Sequence, residues 1–301
     1  MSKVIVVGSM NMDLVIKTDE IPKVGETLLG HELLQIPGGK GANQGVAIAK
    51  LGNDITFLGK VGRDSFGDEL LASMKNAGVD IGHIEREDTS TGIAVINVDK
   101  YGRNNIVVIP GANAMVDKEY LGRHLVTFEE ADIVVFQLEI PLETVKEGLR
   151  IAKESEKITI LNPAPAMELD DEIISNIDIL IPNEHELERM TNVEVIDDES
   201  ILKASRLLLN KGIKQIIVTL GSKGVLYIDK NGNEFFKAYN VNVVDTTAAG
   251  DSFIGGFLTS FIEDRDIKKA INMGQKTAAL AIQKVGAQSS LPNREEVENF
   301  K

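Results

Sequence analysis

DIVVFQLEIPLETVKEGLRIAKESEKITILN, residues 132–162, sets a helical pattern between two short apolar runs. The outer runs, DIVVFQ (132–137) and ITILN (158–162), are rich in β-branched residues and lack polar alternation. Continuous runs of this length suit strands covered on both faces. The middle, PLETVKEGLRIAKES (141–155), reads as a helix. Strand, helix, strand is the repeating unit of a parallel sheet. The same rhythm extends outward, with further strand-like runs at KVIVVG (3–8), DITFLG (54–59), DILIPN (178–183) and KQIIVTLG (214–221). Helical patterns fill GANQGVAIAKLG (41–52) and ESILKASRLLLNKG (199–212). In the latter, Ile201, Ala204, Leu208 and Ile213 fall near one face, and Gly212 marks the stop. The expected fold is α/β, a mostly parallel doubly wound sheet flanked by helices.

Two segments break the rhythm. Residues 11–36 and about 90–110 look like hairpins, the second turning through VDKYGRN. They are expected to form a small inserted β-sheet lid over the site, within one domain spanning 1–301. The alternative is an edge extension of the main sheet.

Composition removes whole classes of function. A net charge of −14 argues against nucleic acid and anionic membrane surfaces as partners. The 5% aromatic content, with no Trp, argues against a base-stacking platform. No cysteine is present, so disulfides and thiolate metal sites are excluded. No apolar stretch approaches the roughly 18 residues of a membrane span, and MSKVIVVGSM does not carry a signal-like core. A cytoplasmic address is expected.

Four stretches can carry chemistry. In NVVDTTAAGDSF (242–253) a strand-like run meets two threonines, two alanines, a glycine and an aspartate, followed by the buried helical pattern FIGGFLTSFI. The unbulky Ala248, Ala249 and Gly250 let a ligand approach helix N-terminal amides, which favour anions. Asp251, at the head of the same helix, can accept the proton of an attacking hydroxyl, and Asp245 adds a second carboxylate. A helix-stabilising first-turn Asp is the bland alternative. PGGKGANQG (37–45) is neither a P-loop nor a dinucleotide fingerprint, since Gly41 follows Lys40 and Gln44 stands where the third glycine belongs. Its backbone, with Lys40 and Asn43, suits gripping hydroxyls, or simply a tight helix-packing turn. VTLGSKG (218–224) offers amides for phosphate oxygens and equally a plain strand–turn–strand junction. In PNEHELERM (182–190), Asn183 and Glu186 can orient a hydrated magnesium ion or form a capping box. The four histidines are not spaced as a metal pair.

The residues resemble the ribokinase-like carbohydrate kinases. DTTAAGDSF is similar to their C-terminal signature and GGKGANQGVA to their N-terminal one, with GSMNMD, QLE, NPAPA, PNEHE, TLGSKG and KVGAQSSLP in the expected order up to residue 292. The resemblance implies an ATP-dependent sugar kinase acting on the O5 hydroxyl of ribose, with a sister kinase for 2-deoxyribose, fructose or a nucleoside as the near alternative. A catalytically silent sugar-binding regulator is the alternative of another class. By the same resemblance, Asn11, Asp13, Gly39, Lys40, Asn43 and Glu139 hold sugar hydroxyls, and Asp251 is the general base beside an anion hole of Ala248, Ala249 and Gly250. Thr219, Gly221, Ser222, Gly224 and Gln275 line the nucleotide site. Asn183 and Glu186 organise Mg2+ through water. Asp245, Thr247, Ala281, Lys284, Gly286 and Ser290 surround K+, partly through main-chain carbonyls, so Lys284 in place of arginine and Thr247 in place of an aliphatic residue are harmless. A homodimer formed through the lid is also implied.

Overall fold

The computed structural model describes residues 3–301. Among them an eight-stranded sheet runs in the order Gly232–Lys237, Gly224–Asp229, Gln215–Thr219, Ile179–Leu180, Ile158–Leu161, Ile133–Phe136, Val4–Val7, Ile55–Leu58. The six strands from Gln215–Thr219 to Ile55–Leu58 pair in parallel; the two at the other end are antiparallel.

The opening stretch forms the expected unit. Ile133–Phe136 and Ile158–Leu161 are adjacent parallel strands joined by the helix Leu142–Glu154. Alternate residues of each strand enter opposite layers. Val134, Phe136 and Leu161 join Val145, Leu149 and Ala152 of that helix, together with Tyr120, Phe128 and Leu208. Ile133, Val135 and Ile160 join Val46, Ile48, Phe253, Phe257 and Ile271 on the other face. Burying each large apolar side chain contributes about 1.5–3 kcal/mol, and covering both faces is why the strands show no polar alternation. Ile201, Ala204 and Leu208 are buried along one face of the helix Asp198–Asn210, as their spacing predicts.

DILIPN is strand over only Ile179–Leu180, because the chain leaves the sheet to start the helix Glu184–Thr191. The two irregular segments form a separate sheet of four strands, ordered Glu32–Gly38, Asn11–Lys17, Gly92–Val98, Asn104–Ile109. Each segment pairs antiparallel within itself, and Asn11–Lys17 runs parallel to Gly92–Val98. The edge extension is therefore not the arrangement formed. In the second hairpin, Asp99 Oδ1 accepts the N–H groups of Tyr101 (2.9 Å) and Arg103 (3.0 Å), closing the turn.

Candidate active site

Ser9, Glu139, Asn162, Asn183 and Thr219 lie at or just beyond the carboxyl ends of five strands of the main sheet. That edge is where open α/β sheets bind ligands. A cavity of about 190 Å3 opens there, lined by Lys40, Asn183, Glu186, Thr219, Thr246 and the run Ala248–Asp251, among others. It is smaller than the roughly 300–1,000 Å3 of whole small-molecule sites, so it is a meeting point rather than a complete ligand pocket.

One wall is the head of the helix Lys40–Lys50. Gly39 precedes it at φ 90°, a conformation open to glycine. A Cβ on Gly41 would lie 2.6 Å from the Ser9 amide nitrogen and 2.8 Å from the Gly8 backbone, so helix and first strand meet backbone to backbone. Gly41→Ala should therefore destabilise the fold by about 1–3 kcal/mol through overpacking, read as a lower melting temperature. Glu139 gathers this wall: its Oε2 accepts from Ser9 Oγ (2.6 Å), the Lys40 amide (3.0 Å) and Asn11 Nδ2 (3.4 Å). Asn11 is itself oriented by Asn113, whose Nδ2 donates to Asn11 Oδ1 at 2.8 Å while its Oδ1 and Nδ2 clamp the Met10 backbone.

Asn11 and Asp13 sit two apart on one strand, hence on one face. The Asp13 carboxylate lies over Gly38, where any Cβ would overlap it. Burial, with Glu139 and Asp251 nearby, pushes the Asp13 carboxyl up to about 7. Burial alone would lower the Lys40 ammonium, yet the carboxylates of Asp251, Glu139, Glu186 and Asp13 hold it above the ordinary lysine value. Because the Asp13 value rises on folding from 3.8 to about 7, its contribution to stability is complete below pH 4 and lost as pH climbs through 7. Asp13→Asn should thus match the parent's melting temperature near pH 4 and exceed it at pH 8, in melts recorded across that range.

The opposite wall is the head of the helix Ala249–Asp264. Ala248 adopts the left-handed conformation, φ 59° and ψ 15°, which is strained for a residue with a Cβ. The Ala249 N–H donates to the Thr246 carbonyl (3.1 Å), and the first intrahelical bond runs from Ser252 N–H to Ala248 (2.8 Å). The Gly250 and Asp251 amides fall between these two bonds, at the cavity wall. Asp251 is only 6% exposed. Its Oδ2 accepts from Asn43 Nδ2 (3.1 Å) and its Oδ1 from Gln44 Nε2 (3.0 Å), so both helix heads meet at this carboxylate.

Asn183 and Glu186 form the capping box: Asn183 Oδ1 accepts the Glu186 N–H, and Glu186 Oε2 accepts the Asn183 N–H, each at 2.8 Å. They also line the cavity, so the two readings of this pair do not exclude each other. Burial raises the Glu186 carboxyl, partly offset by the Asn183 amide and Lys40. Thr219 reaches the cavity, its N–H bonded to the Pro182 carbonyl (2.9 Å). Gly221 and Ser222 are exposed in the short 3-10 turn that follows, and Gly224 starts the next, antiparallel strand. Gln275 stands apart from the cavity lining, its Nε2 donating to the Phe236 and Lys237 carbonyls.

Beside Thr246, the Asp245 carboxylate accepts the Thr247 N–H (2.9 Å) and hydroxyl (2.6 Å) on one oxygen and the Gly286 N–H (2.9 Å) on the other. Burial alone would raise this carboxyl; those three donors hold it below the usual range. The Ala281 carbonyl accepts the Lys284 N–H (3.1 Å), Ser290 Oγ donates to the Ala287 carbonyl (2.8 Å), and the Lys284 ammonium turns away to Glu296 (2.8 Å). Among the described residues, no cluster of three or more His, Cys, Asp or Glu is arranged to hold a metal.

A model described as pfkB family carbohydrate kinase matches residues 1–294. The chain belongs to this family. Among pfkB relatives, the ribokinase of Haemophilus influenzae is 42% identical over 296 residues, covering 98% of this chain and 97% of its own. The deoxyribokinase of Salmonella typhi is 37% identical over 297 residues, with the same coverage. The solved structure of Arabidopsis thaliana ribokinase complexed with ribose and ATP superposes with a TM-score of 0.92 at 30% identity, covering 99% of this chain and 98% of that one. The mostly parallel sheet flanked by helices, with its small separate sheet, is thus the pfkB arrangement.

Sequence reasoning did not single out Ser9, Gln44, Asn113, Gln137, Asn162 or Thr246. Gln44, Ser9, Gln137, Asn162 and Thr246 lie inside stretches that carry the family resemblance but had no role assigned there, and Asn113, in GANAM, carries no local signal.

Proposed function

We propose that this chain transfers the γ-phosphoryl group of ATP to the O5 hydroxyl of ribose, giving ribose 5-phosphate and ADP. The observation that carries the reading is the buried Asp251 carboxylate at the mouth of the helix Ala249–Asp264, joined by Asn43 to the polar wall opposite. A hydroxyl held on that wall meets a base and helix N-terminal amides in one cavity. Full-length similarity to ribokinases supplies the substrate.

In this reading Asn11, Asp13, Gly39, Lys40, Asn43 and Glu139 hold the sugar hydroxyls. Asp251 takes the O5 proton as O5 bonds to the γ-phosphorus and the bond to the ADP oxygen breaks. The transition state is loose, so alignment and charge stabilisation dominate. The amides of Gly250 and Asp251, following Ala248 and Ala249, and the Lys40 ammonium meet the spreading negative charge. Thr219, Gly221, Ser222, Gly224 and Gln275 face the nucleotide. Glu186 Oε1, outside the cap bond, and Asn183 suit a magnesium ion that keeps most of its waters; bound there, it would neutralise phosphate charge. The oxygen-rich loop of Asp245, Thr247 and Ser290, with the carbonyls of Ala281, Lys284 and Gly286, suits a potassium ion adding positive charge beside the helix mouth.

The four-stranded sheet acts as a lid that excludes water, a competing acceptor. Its edge strand Asn104–Ile109 is exposed throughout, with Ile106, Val107, Val108 and Ile109 uncovered, which supports a homodimer through the lid. A cytoplasmic address belongs to the same reading; among the described residues no helix is long and apolar enough to cross a membrane.

A second acceptor, 2-deoxyribose, is favoured by the deoxyribokinase relative. Coupled ADP release with Mg-ATP and K+ over ribose, 2-deoxyribose, fructose and a nucleoside separates them. The highest kcat/KM on ribose supports the reading; a preference for 2-deoxyribose moves the substrate and keeps the mechanism. No turnover on any acceptor, with ATP still bound, would indicate a silent sugar-binding regulator.

A further inference from the structure

We infer that Gln44 is the positioning residue for the Asp251 carboxylate, held in a single amide orientation by Gln137 and Asn162; this rests on Asp251 being the base of the proposed transfer. The orientation follows from groups that can only accept. Asn162 Nδ2 donates to the Ile181 carbonyl at 3.0 Å, which turns Asn162 Oδ1 toward Gln44. Gln44 Nε2 then donates to two oxygens, Asn162 Oδ1 (3.2 Å) and Asp251 Oδ1 (3.0 Å). On the other side, Gln137 Nε2 donates to Gln44 Oε1 at 2.6 Å. A flipped Gln44 amide would face oxygen with oxygen at two contacts and nitrogen with nitrogen at the third.

Gln44 is fully buried and Gln137 nearly so, and a Cβ on Gly8 would overlap Gln137 Oε1, so this row is packed against the first strand's end as well as bonded. The Asp251 carboxylate therefore has one oxygen pinned by Gln44 and the other by Asn43, which stops it rotating about its own bond. Proton abstraction requires a lone pair aligned on the sugar hydroxyl, and a small misalignment is costly. Gln44 reaches no reacting atom in this scheme. It acts through the base.

The test is steady-state turnover of the full chain with Mg-ATP, K+ and ribose across pH, in Gln44→Met, Gln137→Met and the double variant. Gln44→Met keeps the side-chain length and removes the donors. It should lower kcat by about 10- to 100-fold, leave KM for ATP near the parent's and move the acid limb of kcat to higher pH. Gln137→Met should do the same to a smaller degree, and the double variant should be no slower than Gln44→Met, because both act through one contact. Parental kcat and acid limb in Gln44→Met, or independent losses that multiply in the double variant, would overturn the inference. Should Gln44→Met not fold, Gln137→Met decides alone, and parental kcat with an unmoved acid limb overturns it. Asp251→Asn separates the two levels. If that variant is inactive while Gln44→Met is normal, only the role of Gln44 falls; if it turns over normally, the reading beneath falls too.

Discussion

Asp251→Asn is expected to lower kcat by about 10²–10⁴-fold, the usual contribution of a positioned general base, while ATP affinity stays near the parent's. The substitution preserves shape but removes the acceptor for the sugar proton. It also sets an NH2 group against one of the two donors that now reach the carboxylate, Asn43 Nδ2 or Gln44 Nε2. A modest fall in melting temperature should accompany the loss, so melting curves belong beside the rates. Coupled ADP release gives kcat, and calorimetry with a non-hydrolysable nucleotide gives ATP-site affinity. A turnover within a few-fold of the parent would remove Asp251 from its role.

Gly250→Ala tests the helix mouth with the opposite stability signature. Beyond its chain neighbours and the backbone of its own helix turn, nothing lies within 4 Å of a Cβ built on Gly250, so the packing of the fold does not demand glycine there. Inside a helix alanine is the better residue by about 0.5–1 kcal/mol, so the melting temperature should hold or rise. The added methyl instead occupies space at the cavity wall, where the phosphoryl group approaches the amides. Losing one such donor contact costs about 10²–10³-fold in kcat in other enzymes, and a loss of that order is expected here. A stable variant with normal kcat would mean that the transferred group is held elsewhere. Gly41 provides the contrast, since its glycine is required by the Ser9 and Gly8 backbone and its replacement should act on stability.

The main sheet was legible because strands buried on both faces leave uninterrupted β-branched runs, as Ile133–Phe136 and Ile158–Leu161 do. Where the backbone leaves the sheet early, the run misleads: DILIPN stays buried to Pro182, yet only two of its residues pair. The hairpin segments were also visible, through their turn residues. Their mutual pairing, Asn11–Lys17 beside Gly92–Val98, was not, since no local signal sets the register of segments eighty residues apart.

The site divides along the same line. Lys40, Asn43 and Asp251 stand in glycine- and alanine-rich turns whose composition betrays close approach. Gln44, Gln137 and Asn162 stand together because the strands Ile133–Phe136 and Ile158–Leu161 are neighbours facing the head of one helix, which is a property of sheet order. Ala248 in the left-handed region is unreadable for another reason, since alanine gives no hint of a positive φ. Glu186 shows that a capping residue and a cavity wall can be one side chain.

The most direct test of the central claim is to follow the purified chain with Mg-ATP, K+ and ribose by phosphorus NMR. Transfer to O5 predicts a new phosphomonoester formed in step with ADP, its phosphorus coupled to the two protons of the ribose C5 methylene. ADP with only inorganic phosphate, or a phosphoester coupled to the anomeric proton instead, would contradict it.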